Sequence, residues 1–75
     1  MNKQFEVSIL TVEPLDNGYS PAEYRVGYYE TYQEAVTALA FCELADNSIA
    51  KLSRVFNNGK RSTMIIRYSD RVIYQ

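Results

Sequence analysis

Apolar and polar positions alternate from Gln4 to Val12, with Phe5, Val7 and Ile9 set against Glu6 and Ser8. That period of two predicts a half-buried strand. Leu10 and Val12 then carry apolar character on the other parity, which calls for cover on both faces or a bulge. From Glu13 to Pro21 the alternation gives way to two prolines and an Asn17-Gly18 pair, read as a long loop with Leu15 and Tyr19 at its tip. Alternation resumes from Glu23 to Tyr29, where Tyr24, Val26 and Tyr28 are expected on one face.

The period then lengthens. Thr31-Tyr32-Gln33-Glu34 has the form of a capping box, and no Gly or Pro occurs from Tyr32 to about Ala45. At about 100° per residue, Ala35, Ala38, Leu39, Cys42 and Ala45 fall in one stripe, so a helix is predicted there with its small-residue face on a sheet. Phe41 and Leu44 lie outside the stripe, as a partner or dimer patch or as residues covered by a loop. Three strands follow between Ile49 and Gln75. In the hairpin around Asn57-Asn58-Gly59, a two-residue turn would pair Leu52 with Ile65. A three-residue loop with Gly59 left-handed would pair Leu52 with Met64 and Ala50 with Ile66. The second register is preferred, because it gathers Ala50, Leu52, Met64, Ile66 and Tyr68 on one face and leaves Lys51, Arg61 and Arg67 on the other. The last strand runs from Arg71 to Tyr74. The expectation is one α+β domain over residues 1–75, ordered β-β-α-β-β-β, with a mostly antiparallel sheet and a helix packed on one face.

Composition narrows the chemistry. The 75 residues are 47% hydrophobic and 23% charged, as in a folded globule, and no apolar run approaches the roughly 20 residues of a membrane span. The first residues lack an apolar core of the kind signal peptides carry, so a cytoplasmic protein without membrane association is expected. One Cys and no His remove disulfides, the commonest metal ligand and the usual proton shuttle. Ser and Thr stand without a His base, and Cys42 lies on the predicted buried stripe. The expectation is therefore no enzyme, with no catalytic residue, metal or cofactor.

Charge changes the picture more. Residues 1–46 hold eight acids and two bases, and residues 47–75 hold six bases and one acid. A basic outer sheet face of Lys51, Arg61 and Arg67, with Lys60 at the hairpin, would suit phosphates or an acidic protein surface. The competing reading is that acidic N-terminal strands lie beside basic C-terminal ones and their charges cancel in cross-strand pairs. Of the seven tyrosines, Tyr24, Tyr28, Tyr68 and Tyr74 take core parity, whereas Tyr19, Tyr29 and Tyr32 are candidates for an exposed interface.

From Tyr24 onward the layout resembles small proteins encoded by phages and other mobile elements, some anti-CRISPR proteins among them. A strand runs into a Thr-capped helix (Thr31-Tyr32-Gln33-Glu34-Ala35), and a strand, an Asn-Gly hairpin (Asn57-Asn58-Gly59) and a short final strand follow. The resemblance is one of layout and size, without a signature motif, and it carries no residues across. It implies a non-catalytic inhibitor that blocks a host or defence protein sterically. The leading expectation is accordingly a protein-binding module using Tyr29, Tyr32, Phe41, Leu44, Lys51, Lys60, Arg61 and Arg67, with Phe41 and Leu44 also available for a homodimer. The alternative is nucleic-acid or nucleotide binding through the basic face.

Overall fold

Five strands and one helix follow one another as β1 (Phe5–Leu15), β2 (Gly18–Tyr29), α1 (Tyr32–Phe41), β3 (Ser48–Val55), β4 (Arg61–Arg67) and β5 (Val72–Tyr74). The computed structural model describes residues 4–15 and 18–75, except for the side chains of residues 13–15, 19 and 20. The strands form one sheet in the order β2-β1-β3-β4-β5, with every neighbouring pair antiparallel. Because β2 and β3 are both antiparallel to β1, they run parallel to each other on either side of it. Their connection must cross β1, and this places α1 over the middle of the sheet.

Beneath α1 lie Val7, Ala50, Leu52 and Ile65, closed from above by Ala35 and Leu39. The two helix residues are spaced i, i+4 and so sit above one another on its inner face. Ala35 and Ala50 have no exposed surface, so the small side chains let helix and sheet approach closely. Ala38 and Cys42 of the predicted stripe pack partly against this core, while Ala45 is exposed.

Both ends of the helix have a local cause. Thr31 takes extended geometry and accepts the Glu34 N–H at 3.1 Å, and its hydroxyl donates to the Glu34 carboxylate at 3.0 Å. The reciprocal half of the box thus runs to the hydroxyl. The helix stops at Phe41, four residues short of the expected Ala45. Glu43 and Asp46 would set negative charge against the negative end of the helix dipole. Arg67 of β4 donates instead to the Leu39 carbonyl at 3.1 Å and the Cys42 carbonyl at 2.5 Å, serving the terminal acceptors that a glycine cap would otherwise serve.

The expected loop over Glu13–Pro21 is largely strand. β1 continues to Leu15 and β2 starts at Gly18, with Val12 opposite Pro21 and Pro14 opposite Tyr19. Both prolines are tolerated because each has an edge beside it: β2 ends the sheet, and β3 pairs with β1 only as far as Thr11. Asn17 and the side chains of Leu15 and Tyr19 lie outside the described residues.

Two bulges decide which residues face the helix. In β2, Val7 pairs with Gly27 and Ser8 with Arg25, so Val26 is the extra residue. Tyr24 and Tyr28 therefore project from opposite faces instead of sharing one. In the β3–β4 hairpin, Phe56 N–H bonds the Lys60 carbonyl across a three-residue loop, and Gly59 is left-handed at φ 85°. The expected turn and the register next to it are present, with Val55 opposite Arg61 and Ser53 opposite Thr63. Met64 then bulges, and Leu52 pairs with Ile65 and Ala50 with Arg67. The uniform register preferred from the sequence is corrected by that one residue. Ile65 enters the core where Met64 was expected, and Arg67 turns to the helix side.

Candidate functional site

On the face that α1 leaves uncovered, the expected basic stripe does not form. Glu6 lies between Tyr28 on β2 and Ser53 on β3 and is 3% exposed. Arg61 reaches it with two hydrogen bonds, Nε to Oε1 at 3.0 Å and Nη2 to Oε2 at 3.2 Å, and Arg25 adds Nε to Oε2 at 3.3 Å. The Arg25 guanidinium also stacks over the Tyr28 ring at 4.5 Å. Burial by itself would raise the Glu6 pKa. The Arg61 and Tyr28 hydrogen bonds and the charges of Arg61 and Arg25 outweigh it and hold the carboxyl below its ordinary value. The same pairing raises the Arg61 pKa.

Lys51 pairs with Glu23 at 3.2 Å, and Arg67 caps the helix from the other face. Of the four basic residues expected to act together, Lys51 and Arg61 share a face, each beside an acid, and Arg67 has left it. Lys60 is exposed at the hairpin loop. Cross-strand cancellation is the arrangement found. Nothing in the spacing of Glu6 marked it as the centre of this cluster, although its alternation with Phe5 and Val7 did place it on the correct face.

A different surface lies beside the helix. Tyr29 folds back over Gly27, where an added Cβ would stand 2.9 Å from the Tyr29 hydroxyl oxygen. The ring forms one wall of an open groove of about 380 Å³, and Gln33, Glu34, Thr37 and Ala38 form the other. Thr37 and Ala38 stand four and three residues before Phe41, on the same side of the helix. Phe41 is 82% exposed and continues that side beyond the groove. Leu44, expected beside it, packs partly against the core outside the helix. Tyr32 is exposed at the other end of α1, its ring edge-on to Phe5 with centroids 5.9 Å apart. The groove residues Gln33, Thr37 and Ala38 escaped sequence reading, and the signal for them was Gly27, a gap in the strand for the Tyr29 ring to cover.

Acidic residues predominate along the segments that build this surface, with Arg67 as the cation at the helix end. From Val26 to Ala50 the sequence contains no Lys or Arg, and Glu30, Glu34, Glu43 and Asp46 are all exposed. Cys42 is not activated for chemistry: burial pushes its thiol pKa up despite the nearby Arg67 charge, and Sγ donates to the Ala38 carbonyl at 3.1 Å. Among the described residues there is no metal-holding cluster of His, Cys, Asp and Glu, and no helix long and apolar enough to cross a membrane. Comparison with protein-family models, with curated proteins and with solved structures gave no match.

Proposed function

We propose that this protein is a non-catalytic protein-binding module whose contact surface is the α1–β2 groove together with Phe41. The observation that carries this reading is Phe41, a large aromatic side chain left 82% exposed beside an apolar groove. Exposed aromatics next to a pocket are the usual anchors of protein interfaces. The acidic rim selects the occupant: a segment with an apolar anchor flanked by Lys or Arg, drawn in by charge and held by burial. The module acts by occupying its partner's surface, the mode implied by its layout resemblance to small phage and mobile-element inhibitors.

The test uses wild type and Phe41→Lys as baits in lysate of the native host. The retained partner is then purified and titrated against both. Binding should fall at least tenfold for Phe41→Lys and more modestly for Glu30→Lys, with only the latter change reduced at high salt. A purified partner that binds Phe41→Lys as tightly as wild type refutes the reading.

A further inference from the structure

The two edges of the sheet are unequal. β2 carries Pro21, the Val26 bulge, and Glu23 and Arg25, the features by which natural edges resist pairing. β5 is only three residues long, itself a protective feature, but it carries no proline, bulge or charge within the strand. It reads Val72-Ile73-Tyr74, two β-branched residues and an aromatic, exposed by 46%, 39% and 73%. We propose that β5 is a self-association edge, and that its occupant is the β5 of a second copy of this chain, antiparallel about a two-fold axis at Ile73.

The hydrogen-bond parity of β5 fixes this register. Tyr68 N–H bonds the Arg71 carbonyl at 2.7 Å and Gln75 N–H bonds the Met64 carbonyl at 2.8 Å. Residues 71, 73 and 75 thus direct their backbone groups to β4, and by alternation Val72 and Tyr74 direct theirs outward. With Ile73 opposite Ile73 of the second copy, each Val72 faces a Tyr74 as a hydrogen-bonded pair. Two such pairs make four new backbone bonds. Val–Tyr pairs stack on the helix side, an Ile–Ile pair lies on the other, and Arg71 falls opposite Gln75, so no like charges meet. The result is a continuous ten-stranded sheet.

Four backbone bonds over a three-residue strand make a small interface, so a weak, reversible dimer is the expected outcome. The groove is walled by Tyr29 of β2, at the opposite edge, so loss of dimerisation in the Ile73 variants and loss of partner capture are read as separate outcomes.

Sedimentation equilibrium over a concentration series tests the edge. Wild type should show a monomer–dimer equilibrium. Val72→Pro removes an outward N–H and leaves the β4 ladder intact, so it should weaken association at least tenfold with unchanged thermal unfolding. Ile73→Lys and Ile73→Glu should each be monomeric, and mixing them should restore a heterodimer. That mixing result decides the matter even if Val72→Pro folds poorly. Wild type monomeric throughout, or an Ile73→Lys/Ile73→Glu mixture that stays monomeric, overturns the proposal.

Discussion

Arg61 and Glu6, separated by 55 residues in sequence, are joined by two hydrogen bonds of 3.0 and 3.2 Å across three strands of the sheet. The pair ties β4 to β1 over the intervening Ser53 of β3 and makes the acidic and basic halves of the chain internal counterparts. A charge asymmetry that looks like a binding surface in one dimension is, at this point, a cross-strand clasp.

Glu6→Gln should lower stability by about 1–2 kcal/mol, because the guanidinium donors of Arg61 and Arg25 exchange an ionic acceptor for a weaker, neutral amide oxygen. The pH dependence follows from the depressed carboxyl pKa. Its contribution is fully present above the ordinary glutamate value and is lost as pH falls through the folded-state value. Urea midpoints taken from neutral pH into the acid range should fall more steeply for wild type than for Glu6→Gln. Parallel curves would show that Glu6 titrates alike in folded and unfolded chains.

Arg67→Met should cost about 1–2 kcal/mol, since it strips the Leu39 and Cys42 carbonyls of a charged donor. Arg67→Lys should recover only part of this, a single ammonium being a poorer match than a planar guanidinium to two carbonyls. Chemical denaturation of both variants measures the difference. Equal stability of Arg67→Met and wild type would mean that the helix end is held by other contacts.

Ser8 is buried, and its Oγ has no hydrogen-bond partner. An unpaired buried hydroxyl is a liability of about 1 kcal/mol or more. Ser8→Ala should therefore leave stability unchanged or raise it by up to about 1 kcal/mol in thermal or urea unfolding. A clear loss would show that the hydroxyl is bonded in solution.

Short-range signals were readable in the sequence. Thr31 through Glu34 marks the helix start within four residues, and the left-handed Gly59 follows from three residues of turn chemistry. The faces of Tyr28, Ile65 and Arg67 were not readable, because the Val26 and Met64 bulges are chosen by the packing of a whole sheet. Turn chemistry admits either of two uniform registers, whereas the hairpin uses one beside its turn and the other beside the core. Pro14 and Pro21 signalled a loop by local preference, and only the strand order reveals that each has a free edge. The same limit applies to Leu44: its helical angle said outward, but the helix ends before it.

Phe41 and Leu44 consequently separate in their effects. Phe41→Lys should change stability by less than about 0.5 kcal/mol, as expected of an exposed site. Leu44→Lys should cost about 1–3 kcal/mol by moving a charge against the core. Unfolding free energies of the two single variants check this. A destabilised Phe41→Lys would make Phe41 a packing residue and remove the anchor of the proposed interface.

The alternative of nucleic-acid binding makes the sharpest contrast. Four phosphate contacts by Lys51, Lys60, Arg61 and Arg67 would give a log–log salt slope of about −3 to −4. To supply them, Arg61 would have to abandon a buried carboxylate, Lys51 would have to leave Glu23, and Arg67 would have to release the helix end. Each departure uncovers a charge or carbonyl that the fold has satisfied. We therefore expect no tight binding of mixed-sequence DNA or RNA at physiological salt. Glu6→Gln supplies the complementary arm, because it loosens Arg61 and Arg25 and removes a negative charge from the face. Any residual low-salt affinity should rise in that variant and fall in Arg61→Glu. Tight, steeply salt-dependent binding by wild type, lost in Arg61→Glu, would reinstate the basic face as the working surface and displace the groove beside α1.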